Sequence, residues 1–349
     1  MSRSVHIVAV AARTAVGFTA ESTAAAVRAG VSRIRQHPFM RDAAGDKLRC
    51  GYDRGMDPAL FGADRMFSLA RQALAEAAAK LTRERPCPVP VRVLLALPEP
   101  RPGFSSRDAS RLARRLGEAP PARLPAVRVE QTEAGHAGAL GGLERAVRDI
   151  GQGVEDLCFV GGVDSYLEAE TLDSLDDERR LARAEIRGGF SPGEGAAMLA
   201  VASDAARSAL GLPSLARIRT VTCAREKRDP KCDEGLLGEA MTEAIRRAAG
   251  ALRPGEILAD VYCDINGERS RADDWGFALL RTASAFRDGT DYRTAVLQCG
   301  DIGAASAALS CVLAVQAWQR GYANGPLALA CGSTWTGLRG AAVLERSAG

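Results

Sequence analysis

The chain has 349 residues, 46% hydrophobic and 26% charged, an ordinary globular composition with room for one large core or two packed halves. Its formal net charge of +3 is spread along the sequence, and the densest basic run, Ala224 to Arg228, is broken by Glu226 and lacks aromatic residues, which excludes a nucleic-acid stripe. Nine cysteines without close pairs exclude a zinc ribbon and point to reduced thiols in a cytosolic protein, with no metal site and no cofactor expected.

In chain order, Val5 to Val10 reads as a first strand, too short to be a signal peptide. Ala63 to Leu81 has the pattern of an amphipathic helix on the outside of the fold. Gln131 to Leu140, QTEAGHAGAL, reads as a loop turning into a buried helix that runs to about Ile150. Asp156 to Gly162 follows as a strand. Asp173 to Arg187, rich in acids and arginines, reads as a solvated helical face, with partner docking as the sharper alternative. Gly195 to Ala202 is a strand, and Gly238 to Leu252 a second outer helix.

The second half repeats this programme. Gly300 opens an Ala-rich helix to about Trp318, Pro326 to Gly332 is a strand, and Gly340-Ala-Ala-Val-Leu344 echoes Gly195-Ala-Ala-Met-Leu199. The run Ile302 to Trp318 is too short and too dotted with Ser and Gln to cross a membrane. A helix built from Gly, Ala and Ser has little polar face to offer water, so both such helices are expected between two sheets. The expectation is an α/β fold of five layers, α/β/α/β/α, made of two pseudo-symmetric halves, 1–205 and 206–349.

Three motifs carry a resemblance. Val5 to Phe18, Gly161-Gly-Val-Asp-Ser165 and Gly188-Gly-Phe-Ser-Pro-Gly-Glu-Gly-Ala-Ala-Met-Leu199 resemble segments of the thiolase-fold β-ketoacyl-acyl-carrier-protein synthases, over nearly the whole chain. That resemblance implies a nucleophilic cysteine at the N-terminus of the first buried helix and two histidines from the second half. Here the cysteine position falls on His136. The first histidine falls on Asn266 of Asn266-Gly-Glu-Arg-Ser270, with Asp274 at the matching distance, and the second on Asp301. The upstream lysine falls on Val296. The only histidines are His6, His37 and His136, so no alignment can supply one after residue 136.

His136, Asn266 and Asp301 are therefore the candidate site. His136 either pairs with Asp301 or Asn266 in a vacated pocket, or serves as a neutral base for acyl transfer or thioester hydrolysis. Asp301 is expected to pair with His136 or to cap the second buried helix. Cys299 and Cys331 lie nearby as buried hydrophobes rather than nucleophiles. Glu268 and Arg269, and Trp335 in Gly332-Ser-Thr-Trp-Thr-Gly337, would obstruct the pocket, while Glu194 is a structural residue. The resemblance implies a degenerate synthase in the cytoplasm, a homodimer or a heterodimer with a synthase-like subunit. Its expected role is that of a chain-length factor or an accessory of secreted effectors such as those of type VI secretion. An acyl carrier protein or an effector would be its partner; neither nucleic acid nor membrane is expected.

Overall fold

The computed structural model describes residues 3–42, 44–81, 90–183, 185–229 and 235–347. Its first part runs β1 (Val5–Thr14), α1 (Ala20–Arg28), the hairpin β2 (Ile34–Arg41) and β3 (Lys47–Gly51), α2 (Gly62–Leu81), β4 (Val91–Ala96), α3 (Ser106–Glu118), β5 (Val127–Gln131), α4 (Gly138–Gly151), β6 (Leu157–Ser165), α5 (Ala169–Asp177), β7 (Glu194–Ser203) and α6 (Asp204–Ala209). The second runs β8 (Ala216–Arg225), α7 (Glu239–Ala249), β9 (Asp260–Tyr262), α8 (Arg269–Thr282), β10 (Tyr292–Arg293), α9 (Val296–Cys299), α10 (Ser306–Gln319), β11 (Leu327–Ser333) and β12 (Leu338–Arg346).

Two sets of five strands have the same order. The first is β5-β4-β6-β7-β1, the second β10-β9-β11-β12-β8. In each set the second strand is parallel to the first and third, and the last two contacts are antiparallel. A short seam joins the sets, where Val5, His6 and Ile7 pair with Ile218, Arg217 and Ala216. The strands flanked by helices on both sides, such as β6 and β7, are buried along almost their whole length, as continuous apolar runs predict.

Between the sets lie α4 and α10, each touching strands of both. From Ser306 to Trp318 every residue of α10 is buried, so this helix has no solvent face. Small residues make the approach possible. A Cβ on Gly162 of β6 would sit 2.0 Å from the carbonyl oxygen of Ala304, and Gly303, at φ +50°, would drive a Cβ to 1.9 Å from Asp164 Oδ2. The helices α2 and α3 cover the outer face of the first set, and α7 and α8 that of the second. The result is the five-layer α/β/α/β/α arrangement expected from the sequence.

The segment Asp173 to Arg187 is two-sided: Asp173, Asp177, Glu178 and Arg179 face solvent, while its leucines turn inward. Leu172, Leu175 and Leu181 are buried with Tyr166, Leu167 and Phe190 in a small core of their own, with Cys50 of β3 beneath them. On that inner side Arg183 pairs with Asp176.

Candidate functional site

Both inner helices begin at one point. His136 immediately precedes the Ala137 cap of α4, and its carbonyl accepts a hydrogen bond from Ala307 N in the first turn of α10 (3.3 Å). Asp301 precedes α10, and its Oδ1 accepts from Gly303 N at 2.8 Å, capping the short 3-10 turn that leads into that helix. The loop after β9 brings in Asn266. The fold thus gathers His136, Asn266 and Asp301, which are far apart in sequence: His136 Nε2 lies 2.8 and 3.0 Å from the two Asp301 oxygens, and Asn266 Nδ2 donates to Asp301 Oδ2 at 2.6 Å. All three are buried.

A fourth residue decides their chemistry. Arg271, in the first turn of α8, places Nη2 3.0 Å from His136 Nδ1. A guanidinium can only donate, so Nδ1 presents its lone pair, and the ring hydrogen sits on Nε2, facing Asp301. Both nitrogens of the neutral imidazole are engaged. Arg271 is itself saturated, reaching Asp264 at 2.6 Å, Glu268 at 3.2 Å, and the carbonyl and hydroxyl of Ser333 at 2.7 and 3.0 Å. Burial works against its charge, but Asp264, Glu268 and Asp301 outweigh that penalty and hold its pKa above the usual arginine value. Burial likewise opposes the Asp301 carboxylate, yet His136, Arg271 and Asn266 more than offset it, and the group lies well below the usual carboxylate range. A carboxylate so held neither donates a proton nor readily accepts one.

Above this cluster is a cleft of about 270 Å³. His136, Asp164 and Tyr166 form its floor, Glu99 to Pro102 one wall, and the end of α5 with Arg180 the other. Arg180 donates to Glu268 at 2.8 Å and stacks 4.1 Å from the centre of the Trp335 ring. Glu99 accepts from the backbone of Trp335 and Thr336, pinning that turn (3.3 and 2.7 Å). Arg101 is spent on Asp164 at 2.6 Å, and Asp164 also accepts from Ala304 N at 3.0 Å.

The obstruction is therefore built differently from the expectation. Trp335 lines the cleft and Glu268 reaches its wall through Arg180, but Arg269 does neither: its side chain is 90% exposed and pairs with Asp273. Arg180 takes that place. Asp274 lies deeper, paired with the buried Arg339. Cys299 and Cys331 are buried; burial, with Asp301 adding to it, pushes the Cys299 thiol up to about 12, and burial raises Cys331 further still. Glu194 is held by Arg65, the Asp53 amide and the Ser165 hydroxyl, a structural role. Among the described residues no group of three or more His, Cys, Asp or Glu is placed to hold a metal, and no helix is long and apolar enough to cross a membrane. Sequence reasoning missed Arg271. The available signal was chemical: a buried imidazole beside a carboxylate leaves one ring nitrogen in need of a donor.

No family model matches the sequence, and no curated protein matches it. Solved structures do match in three dimensions. The ishigamide ketosynthase/chain length factor superposes with a TM-score of 0.81 at 15% identity, covering 100% of both chains. The fold is that of the ketosynthases. A second match, from AntDE:AntF, a type II PKS acyl-carrier protein in complex with its ketosynthase, has the same score, identity and coverage. A ketosynthase from module 6 of the bacillaene synthase of Bacillus subtilis 168 gives 0.72 at 14% identity, covering 99% of this chain and 72% of its own.

Proposed function

We propose that the chain is a non-condensing ketosynthase-fold protein that works by binding a partner. The observation that carries this reading is the double engagement of His136. A general base must offer a lone pair to its substrate, and a nucleophile must be free to attack. Nδ1 of His136 is covered by Arg271, and Nε2 bears the hydrogen accepted by Asp301. Acyl transfer or thioester hydrolysis through His136, the rival reading, requires breaking one of these two contacts inside a saturated network. Decarboxylative condensation lacks, in addition, any histidine after residue 136.

Pairing with a synthase-like subunit, in the manner of a chain-length factor, is favoured by the free edge of the first strand set. β5 is five residues long and, among the described residues, is bonded by β4 alone. A partner strand alongside it would satisfy the exposed backbone groups. An accessory role beside secreted effectors uses the same binding logic. The test is turnover of acyl and malonyl thioesters by the purified protein, with and without a candidate synthase subunit, read by mass spectrometry of products. The expected result is no β-keto product and no hydrolysis from the chain alone. A rate abolished by His136→Ala would overturn the proposal.

A further inference from the structure

A second cleft, which shares no lining residue with the first, has the opposite character. It holds about 180 Å³ between the β2–β3 hairpin and the segment leading into α2, and is walled by Phe39, Met40, Tyr52, Met56, Leu60 and Phe61. Phe39 is 79% exposed and Phe61 56%. Phe18, 55% exposed, stands beside it: a Cβ added to Gly55 would lie 3.1 Å from the Phe18 ring. Three large aromatic side chains left in water around one hollow mark a contact surface rather than scattered surface hydrophobes.

Its rim is cationic. The hairpin exposes Arg35, Lys47 and Arg49, and Arg54 lines the cleft itself. None of these four has a carboxylate partner among the described residues; of the neighbouring acids Asp42 is spent on Arg183 and Asp53 on Arg13, and the exposed Asp46 and Asp57 leave the surface with a net positive charge. Unpaired arginines around an apolar hollow are the complement of an acidic segment carrying an apolar anchor: the anchor fills the pocket and the carboxylates meet the rim. A nucleic acid would use the cations but leave Phe39, Met40 and Phe61 facing water. A symmetric contact between two copies through this face would set like charges against each other.

We infer that this hairpin cleft is the docking site for an acidic, amphipathic segment of a partner protein. The inference rests on the reading that the chain acts by binding, and it names where and to what chemistry. Binding of a fluorescein-labelled synthetic peptide, glutamates surrounding one Leu-Phe-Leu face, is measured by anisotropy on the full chain. Phe39→Ser and Arg54→Glu should each weaken it roughly ten-fold or more, added salt should weaken it, and a lysine-for-glutamate peptide should not bind. Absence of binding, equal binding to either variant, preference for an oligothymidine strand, or self-association abolished by Phe39→Ser would each overturn the inference. Turnover assays read the scaffold proposal separately, so a failed peptide and an active His136 are distinguishable results.

Discussion

The two clefts of this molecule differ in how their charges are spent. At His136, Arg271, Arg180 and Arg101 each face a carboxylate, and the polar groups beneath the cleft close on one another. At the hairpin, Arg35, Arg49 and Arg54 face none among the described residues, and aromatic rings stand in water. A buried network that satisfies itself gains rigidity and loses reactivity, because no lone pair or proton is left over for a substrate. An exposed surface that leaves its charges unpaired keeps that free energy for an encounter. On the readings proposed above, chemistry is closed off at one cleft and recognition left open at the other.

The contrast can be broken hardest at Arg271. Arg271→Ala strips Asp264 and Glu268 of a shared cation and His136 of its donor, and should cost about 3–5 kcal/mol in urea unfolding. Asp301→Asn removes the carboxylate that His136 and Asn266 share and should cost about 2–3 kcal/mol. Its pH dependence is a second readout. Folding depresses the Asp301 pKa, so the contribution is complete above the ordinary value of 3.8 and is lost as pH falls through and below it. The gap between wild type and Asp301→Asn should hold steady from about pH 5 to 8 and narrow below about pH 4.

Arg180→Met tests the side wall. It removes the Glu268 contact and the stacked cation, and should cost about 1 kcal/mol while raising acrylamide quenching of Trp335, read as the difference from Trp335→Phe. At the hairpin the same kind of measurement should find almost nothing. Phe39→Ser is expected to change stability by no more than about 0.5 kcal/mol, since that ring contributes little to the fold. A large loss there would mean that the hairpin cleft is core rather than contact surface.

What the sequence made legible follows from composition and counting. The Ala- and Ser-rich run of α10 cannot present a polar face, and this alone places it between sheets, whereas α4 keeps Arg148 in solvent at its far end. The absence of histidine after residue 136 needed no alignment. What stayed hidden depends on helix phase and on long-range packing. Arg269 and Arg271 stand two residues apart at the start of α8, and one is exposed while the other is buried at the centre of the site. Nothing local to Asn266–Arg271 settles which faces inward. The inward side of Asp173 to Arg187 stayed hidden because its polar residues outnumber Leu175 and Leu181, whose burial depends on Phe190 and Cys50 arriving from elsewhere. The hairpin carries no regular alternation, so its aromatic surface emerges only once β2 and β3 are placed.

The helix α10 has a consequence for how the chain is made. Residues 306–318 are walled in on every side, so the inner face of the first set of strands has only α4 as cover until those residues leave the ribosome. The preceding part of the polypeptide must wait, with that apolar face half covered, for the later helix to slot in. Synthesis order and assembly order therefore run against each other, and holding chaperones should matter most before α10 is translated.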